Sequence, residues 1–212
     1  LPMPLHPDQM ADQAFTAVSS LGDGRRLIAL AGPPAAGKST VSELLLRRLL
    51  DTGRSAVLVP MDGFHLDNRL LESRGLLHRK GAPETFDAAG FGHLINRIRA
   101  GESAVYPVFD RSRDLAIAGA GEVTGDAEFV LVEGNYLLLN RGPWQALASL
   151  WDYAIWIDAP RDQLRHRLMQ RWRDEGLTEE VAREKVDGND MPNVDLLLNN
   201  RSIADLVLSA EP

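Results

Sequence analysis

Three segments of the chain carry residues whose types and spacing can do chemistry. The first, Gly32-Pro33-Pro34-Ala35-Ala36-Gly37-Lys38-Ser39-Thr40, fits the pattern G-x-x-x-x-G-K-[S/T], and nothing else in the chain does. Small residues let a backbone wrap so tightly that its N–H groups point at phosphate oxygens. A helix beginning at Lys38 adds about half a positive charge at its N-terminus. Lys38 is then expected to reach the β- and γ-phosphates of a nucleotide, and Ser39 to ligate Mg²⁺. The chain has three lysines, Lys38, Lys80 and Lys185, and one of them stands at the position such a loop requires.

A phosphate loop alone leaves the reaction open, because GTPases, motor ATPases and small-molecule kinases all carry one. Two acids narrow it. In Pro60-Met61-Asp62-Gly63-Phe64-His65, an Asp follows an apolar strand and precedes a Gly. That is the edge of a parallel sheet where ligands bind, so Asp62 is placed either to take the proton of an attacking hydroxyl or to cap a turn. In Val130-Leu131-Val132-Glu133-Gly134, a carboxylate ends another apolar strand, in a position suited to Mg²⁺. GTPases and motor ATPases typically put Asp there, and Glu-Gly suits a kinase at least as well.

The third segment is basic. Arg161, Arg165, Arg167, Arg171 and Arg173 fall within 13 residues against one acid, Asp162, for a local charge of +4. On a helix, Leu164, Leu168 and Trp172 share one face while Arg167 and Arg171 share another. Two readings fit: a solvated, salt-bridged helix, or a lid whose Arg167 and Arg171 neutralise a transferring phosphoryl group. The next stretch, 174–190, has seven acids against two bases and reads as a solvated face.

The elements needed to position these residues are legible in the hydrophobic pattern. Continuous apolar runs at 27–31, 55–60, 129–132, 153–157 and 204–208 read as strands buried on both faces. Helices are expected at 8–21, 38–52, 87–100, 143–150, 161–173, 178–187 and about 193–200. The run 105–109 contains Pro107, which assigns it to an edge or a separate hairpin. Residues 114–125 read as a Gly-rich turn with short strands. Strands alternating with helices imply parallel pairing by right-handed crossovers. The result is one α/β domain over 1–212, doubly wound, with an insertion at about 62–125 and a lid at about 161–190.

Composition removes other classes. A chain of 212 residues with 44% hydrophobic and 25% charged residues matches a globule, and its size lets it bury roughly 70% of its unfolded surface. With no cysteine, disulfides and cysteine-ligated zinc are impossible. A net charge of −7 argues against a nucleic-acid partner, which needs clustered cations on an accessible face. No apolar run approaches the roughly 18–20 residues that span a bilayer, so no membrane partner is expected. The start, broken by three prolines, does not read as a secretory signal, and a cytoplasmic chain is expected. It does not begin with Met, so a few native residues are expected to be missing or replaced there.

The segments AGPPAAGKST (31–40), PMDGFHLDN (60–68), RKGAPETFD (79–87), YPVFDRSRD (106–114), VEGNYLLL (132–139) and GNDMPN (188–193) together resemble the phosphoribulokinase, uridine kinase and bacterial pantothenate kinase superfamily. Within it they are most similar to the subgroup of fructose-transport-system kinases. The resemblance implies a phosphate-loop (P-loop) NTPase fold with five parallel strands in the order 2-3-1-4-5. It implies transfer of the γ-phosphoryl of ATP to a hydroxyl of a small metabolite, with Asp62 as general base and Ser39 with Glu133 on Mg²⁺. It assigns His65, Arg79, Lys80, Phe86, Asp87, Arg111, Arg113, Asn135 and Tyr136 to the acceptor pocket, and puts Asn189 and Pro192 near the adenine. Uridine kinases place aromatic residues and a His where this chain has the Arg-rich Phe109-Asp110-Arg111-Ser112-Arg113. That departure points to an anionic or polyhydroxylated acceptor, sugar-like, ahead of uridine or pantothenate. A reading from another class is an ATP-binding switch of a transport system, without an acceptor.

Overall fold

The computed structural model describes residues 5–210; residues 1–4 of the proline-broken start, and 211–212, lie outside the described residues. A parallel sheet is built from β1 (Arg26–Ala31), β2 (Ala56–Pro60), β5 (Phe129–Gly134), β6 (Tyr153–Asp158) and β7 (Leu206–Ser209). It runs β2-β5-β1-β6-β7. Numbered among themselves, these five strands have the order 2-3-1-4-5, as the resemblance implies. The remaining strands, β3 (Ala104–Asp110) and β4 (Leu115–Val123), pair antiparallel as a separate hairpin. Their register shifts between Tyr106 and Val108, around Pro107, which has no N–H to give to a ladder. β4 is longer than the short strands expected: it pairs with β3 at both its ends, with the irregularity lying between Ile117 and Gly121.

Both sheet faces are covered, which is why the strands read as unbroken apolar runs. On one face, Val130, Val132 and Trp156 pack with Phe91 and Ile95 of α4 (Ala88–Arg99) and with Trp144. On the other, Ile28, Leu30 and Leu131 pack with Met10 of α1 (Pro7–Ser19), Leu45 of α2 (Lys38–Asp51) and Leu164 of α5 (Arg161–Asp174). The stretch expected as a helix at 143–150 is 3₁₀, over Gly142–Leu150. The last helices differ more. α6 (Glu179–Lys185) passes through a π turn, Val186–Asp190, straight into α7 (Met191–Asn199). Met191 N–H donates to the Val186 carbonyl five residues back. The widened turn accommodates Pro192, whose ring would crowd an ordinary helical turn. Among the described residues, no helix is long and apolar enough to cross a membrane.

Candidate active site

The phosphate loop leaves β1 and enters α2. Ala35 sits at φ 64, a left-handed conformation that a non-glycine residue rarely adopts, and it turns the loop back on itself. Lys38 is buried and its ammonium donates to the Pro33 carbonyl at 2.9 Å. Burial pushes the Lys38 pKa down, while the charges of Glu133 and Asp62 pull it back up. Lys38 therefore lies in the field of both acids that the sequence singles out.

Two glycines bring those acids there. A Cβ on Gly134 would collide with Met61, so the end of β5 packs directly on the residue before Asp62. A Cβ on Gly63 would collide with the carbonyl oxygen of Pro107, so the turn carrying Asp62 presses against β3. Glu133 is half-buried; that burial raises its pKa, and Lys38 opposes the rise. The Ser39 hydroxyl lies 3.4 Å from Glu133 Oε2.

The described residues hold no group of three or more His, Cys, Asp or Glu able to bind a metal alone. That suits Mg²⁺, which is usually held by one or two protein oxygens together with substrate phosphates and waters. The hard oxygens of Ser39 and Glu133 fit such an ion.

The acceptor segment pairs with itself. Leu66 N–H donates to Thr85 and Asp87 N–H to Phe64, which brings His65 beside Phe86. The His65 ring lies between Phe86 and Phe109, with centroids 4.0 and 4.6 Å away. Its Nδ1 lies 2.8 Å from the Asp62 carbonyl, an acceptor, so that nitrogen carries the proton. Burial lowers the His65 pKa, against the charge of Asp62, and keeps the ring neutral at pH 7. Arg111 donates to Asp62 Oδ2 at 2.8 Å.

Several residues assigned to the acceptor pocket are employed otherwise. Tyr136 is fully buried in the core and its hydroxyl donates to the Gly81 carbonyl. Asp87 caps α4 through the Gly90 N–H at 2.9 Å. Lys80 spends its three protons on Asn68 Oδ1 (2.6 Å), Asp114 Oδ1 (2.7 Å) and the Asp114 carbonyl (3.1 Å). Arg79 is held by Glu84 and Asn189, and Arg113 by Asp110. Asn135 is half-buried on the loop after β5. Asn68 and Asp114, which fix Lys80, were not singled out as site residues. Asp114 has φ 52, and only the DRSRD run around it hints at a role.

The lid helix divides as its two faces suggest. Leu164 and Leu168 are buried, joined by Met169, while Trp172 of the expected apolar face is only half-buried against the core. Arg167 donates to the Ala35 carbonyl of the phosphate loop at 3.3 Å, while Arg171 is paired with Glu175 at 3.1 Å and lies over the Trp172 ring, close enough that its charge opposes that of Lys38. Arg161, Arg165 and Arg173 turn to Asp195, Asp187 and Glu179 instead. Asp190 departs from the solvated face expected over 174–190: it is half-buried and accepts from Trp172 Nε1 at 2.7 Å. Asn189, expected near the adenine, is engaged within the protein. Its side chain bonds Arg79 and the Lys80 carbonyl, tying the π turn to the acceptor segment. A groove of about 420 Å³ beside the phosphate loop is lined by His6, Ala35, Thr40, Arg167 and Ala210 among others, and neither Asn189 nor Pro192 borders it.

The model of the phosphoribulokinase/uridine kinase family matches residues 27–209. The crystal structure of a candidate fructose transport system kinase from Silicibacter sp. TM1040 is 45% identical, with a TM-score of 0.87 over 96% of this chain and 98% of that one. The protein YggC of Escherichia coli strain K12 is 39% identical over 87% of this chain and 77% of its own length. A candidate uridine kinase of Schizosaccharomyces pombe is 33% identical over 87% of this chain and 83% of its own.

Proposed function

The chain belongs to the phosphoribulokinase/uridine kinase family and is an ATP-dependent small-molecule kinase; from that premise we propose that it transfers the γ-phosphoryl of ATP to a hydroxyl of a sugar-like, polyhydroxylated metabolite in the cytoplasm. The observation that carries this reading is the convergence of a buried Lys38 with Asp62 and Glu133, two carboxylates that act on its charge. A nucleotide switch needs the lysine and the metal-side acid. It has no use for a second acid on a turn that packs into an insertion.

The phosphates of ATP rest on the backbone of residues 32–40, with Lys38 on the β- and γ-oxygens. The adenosine end runs toward the groove beside Thr40 and Arg167. Ser39 and Glu133 would hold Mg²⁺, which would supply charge neutralisation for the phosphates. Asp62 accepts the proton of the acceptor hydroxyl as its oxygen forms the new bond to the γ-phosphorus. The bond from that phosphorus to the bridging oxygen breaks, and its electron pair leaves on ADP. Arg167 and Arg171 face the spread negative charge. Lid closure excludes water, which would otherwise compete as acceptor.

A sugar-like acceptor is supported by the Arg-rich 109–113 turn and by the name of the Silicibacter relative. ADP release is to be measured with ATP and Mg²⁺, alone and with sugars, nucleosides and pantothenate in turn. Stimulation by one acceptor, with its phosphorylated product found by mass spectrometry, is expected. Hydrolysis that no acceptor changes would point to the switch instead.

A further inference from the structure

The cations of the acceptor segment are not equivalent. Arg79 is paired with Glu84 at 3.1 Å, Lys80 with Asp114 at 2.7 Å, and Arg113 with Asp110 at 3.1 Å. Each of those three has its acid within residues 79–114. Arg111 is paired at 2.8 Å with Asp62, outside that segment. If Asp62 is the base, as proposed above, then Arg111 alone among these cations loses its partner when an acceptor hydroxyl binds.

The geometry suits a latch. Arg111 lies on the turn between β3 and β4 and its side chain is 63% exposed, while that of Asp62 is 28% exposed. The arginine therefore reaches in over the acid from solvent. An exposed pair of this kind is a weak link, and releasing it disturbs no core contact. A guanidinium that gives up a carboxylate at a site being closed to water needs another anion with matching geometry. A neutral acceptor would take Asp62 and leave Arg111 unpaired. An acceptor carrying its own anion would take both in one step.

We propose that Arg111 latches Asp62 in the resting enzyme and transfers to an anionic group of the acceptor, so that the acceptor is an alcohol bearing a carboxylate or phosphate close to the reacting hydroxyl. Arg111 is thus a specificity residue, and Asp62 is freed as a base by the substrate that needs it. Sugar phosphates, sugar acids and short hydroxy acids share this chemistry.

The test uses pairs that differ in the anion: D-fructose with its 1- and 6-phosphates, D-glucose with D-gluconate, glycerol with D-glycerate, and pantothenol with pantothenate. Turnover is measured for the wild type, Arg111→Met and Arg111→Lys. Binding of the same compounds is measured by calorimetry with Mg²⁺ and a non-hydrolysable ATP analogue, for the wild type, Arg111→Met and Asp62→Asn. In at least one pair the anionic member is expected to have a kcat/KM about 10- to 100-fold above its neutral partner. Arg111→Met is expected to abolish that preference through KM with the KM for ATP unchanged, and Arg111→Lys to restore part of it. Asp62→Asn removes the latch, so the anionic member should bind it more tightly than it binds the wild type.

Turnover confined to neutral members, with Arg111→Met neutral in effect, overturns the proposal and leaves the kinase reading intact. A rise in the KM for ATP in Arg111→Met reassigns the arginine to the γ-phosphate and equally overturns it. Binding of an anionic member through Arg111 without any turnover sinks the kinase reading while the Arg111 assignment stands. Neither binding nor turnover removes both.

Discussion

Ser39 and Glu133 stand 94 residues apart in sequence, and their side-chain oxygens lie 3.4 Å apart where α2 begins and β5 ends. Glu133 is held there at an electrostatic cost, since burial favours its neutral form. A divalent cation, if held by these two oxygens as proposed, would offset that cost. In Glu133→Gln the Mg²⁺ concentration for half-maximal turnover should rise about 10- to 100-fold, since a charged ligand becomes a neutral one. A Mg²⁺ titration at fixed ATP reads it; an unmoved midpoint would remove Glu133 from the metal site.

Asp62→Asn keeps the shape of the turn and removes the proton acceptor. General-base catalysis contributes typically about 10²- to 10⁴-fold, so kcat should fall by that factor. Calorimetry should find ATP binding nearly unchanged, because Asp62 touches the acceptor side. Undiminished turnover would mean that the hydroxyl loses its proton elsewhere.

Gly63→Ala tests how the turn is seated. The added Cβ has no room against the Pro107 carbonyl, so the hairpin or the turn must shift. Overpacking of this sort costs about 1–3 kcal/mol, to be read as a lower thermal midpoint. Because the shift falls at Asp62, acceptor-dependent turnover should drop at least tenfold even at temperatures where the variant is folded. A variant as active as the wild type would show that the close approach is not needed.

The phosphate loop, the sheet and the strand-end placement of Asp62 and Glu133 were legible, because each depends on local sequence. A glycine loop between an apolar strand and an amphipathic helix has few other uses, and strands buried on both faces announce themselves. Pro107 correctly marked a separate hairpin. What could not be read was which of two good uses a side chain takes in the fold. Tyr136 and Asp87 follow functional motifs, yet one hydroxyl closes a core turn and one carboxylate caps a helix. Asn189 sits in a motif near the lid, but a π turn, not predictable from period alone, rotates it toward Lys80. The partner of each arginine was equally invisible: ion pairs such as Arg165 with Asp187 or Arg111 with Asp62 depend on tertiary geometry.

His65 gives a pH dependence with a defined sign. Its folded pKa lies below the ordinary value of about 6.5, because burial between Phe86 and Phe109 disfavours the charged ring. Below about pH 6.5 the unfolded chain therefore binds more protons than the folded one, so stability is complete above that pH and is lost as pH falls. The thermal midpoint of the wild type should drop between pH 7.5 and 5.5 by more than that of His65→Gln, which has no proton to take up. Parallel midpoints in the two proteins would show that the ring is not held neutral.

The arginines of α5 make opposite predictions from one helix. Arg167 bonds the phosphate loop at Ala35, and Arg171, though paired with Glu175 at 3.1 Å, lies close enough for its charge to oppose that of Lys38; both are the arginines proposed to act on the transferring group. Arg165 faces away, toward Asp187, in an exposed pair. Arg171→Ala and Arg167→Ala should each lower kcat, by about 10- to 10³-fold, as expected for a guanidinium acting on transition-state charge. Arg165→Ala should leave kcat within about twofold and cost at most about 1 kcal/mol of stability. The contrast carries the argument, because all three changes remove the same charge from the same helix. If the three variants lose activity equally, the helix acts only through its net charge or its packing, and the lid assignment of Arg167 and Arg171 fails.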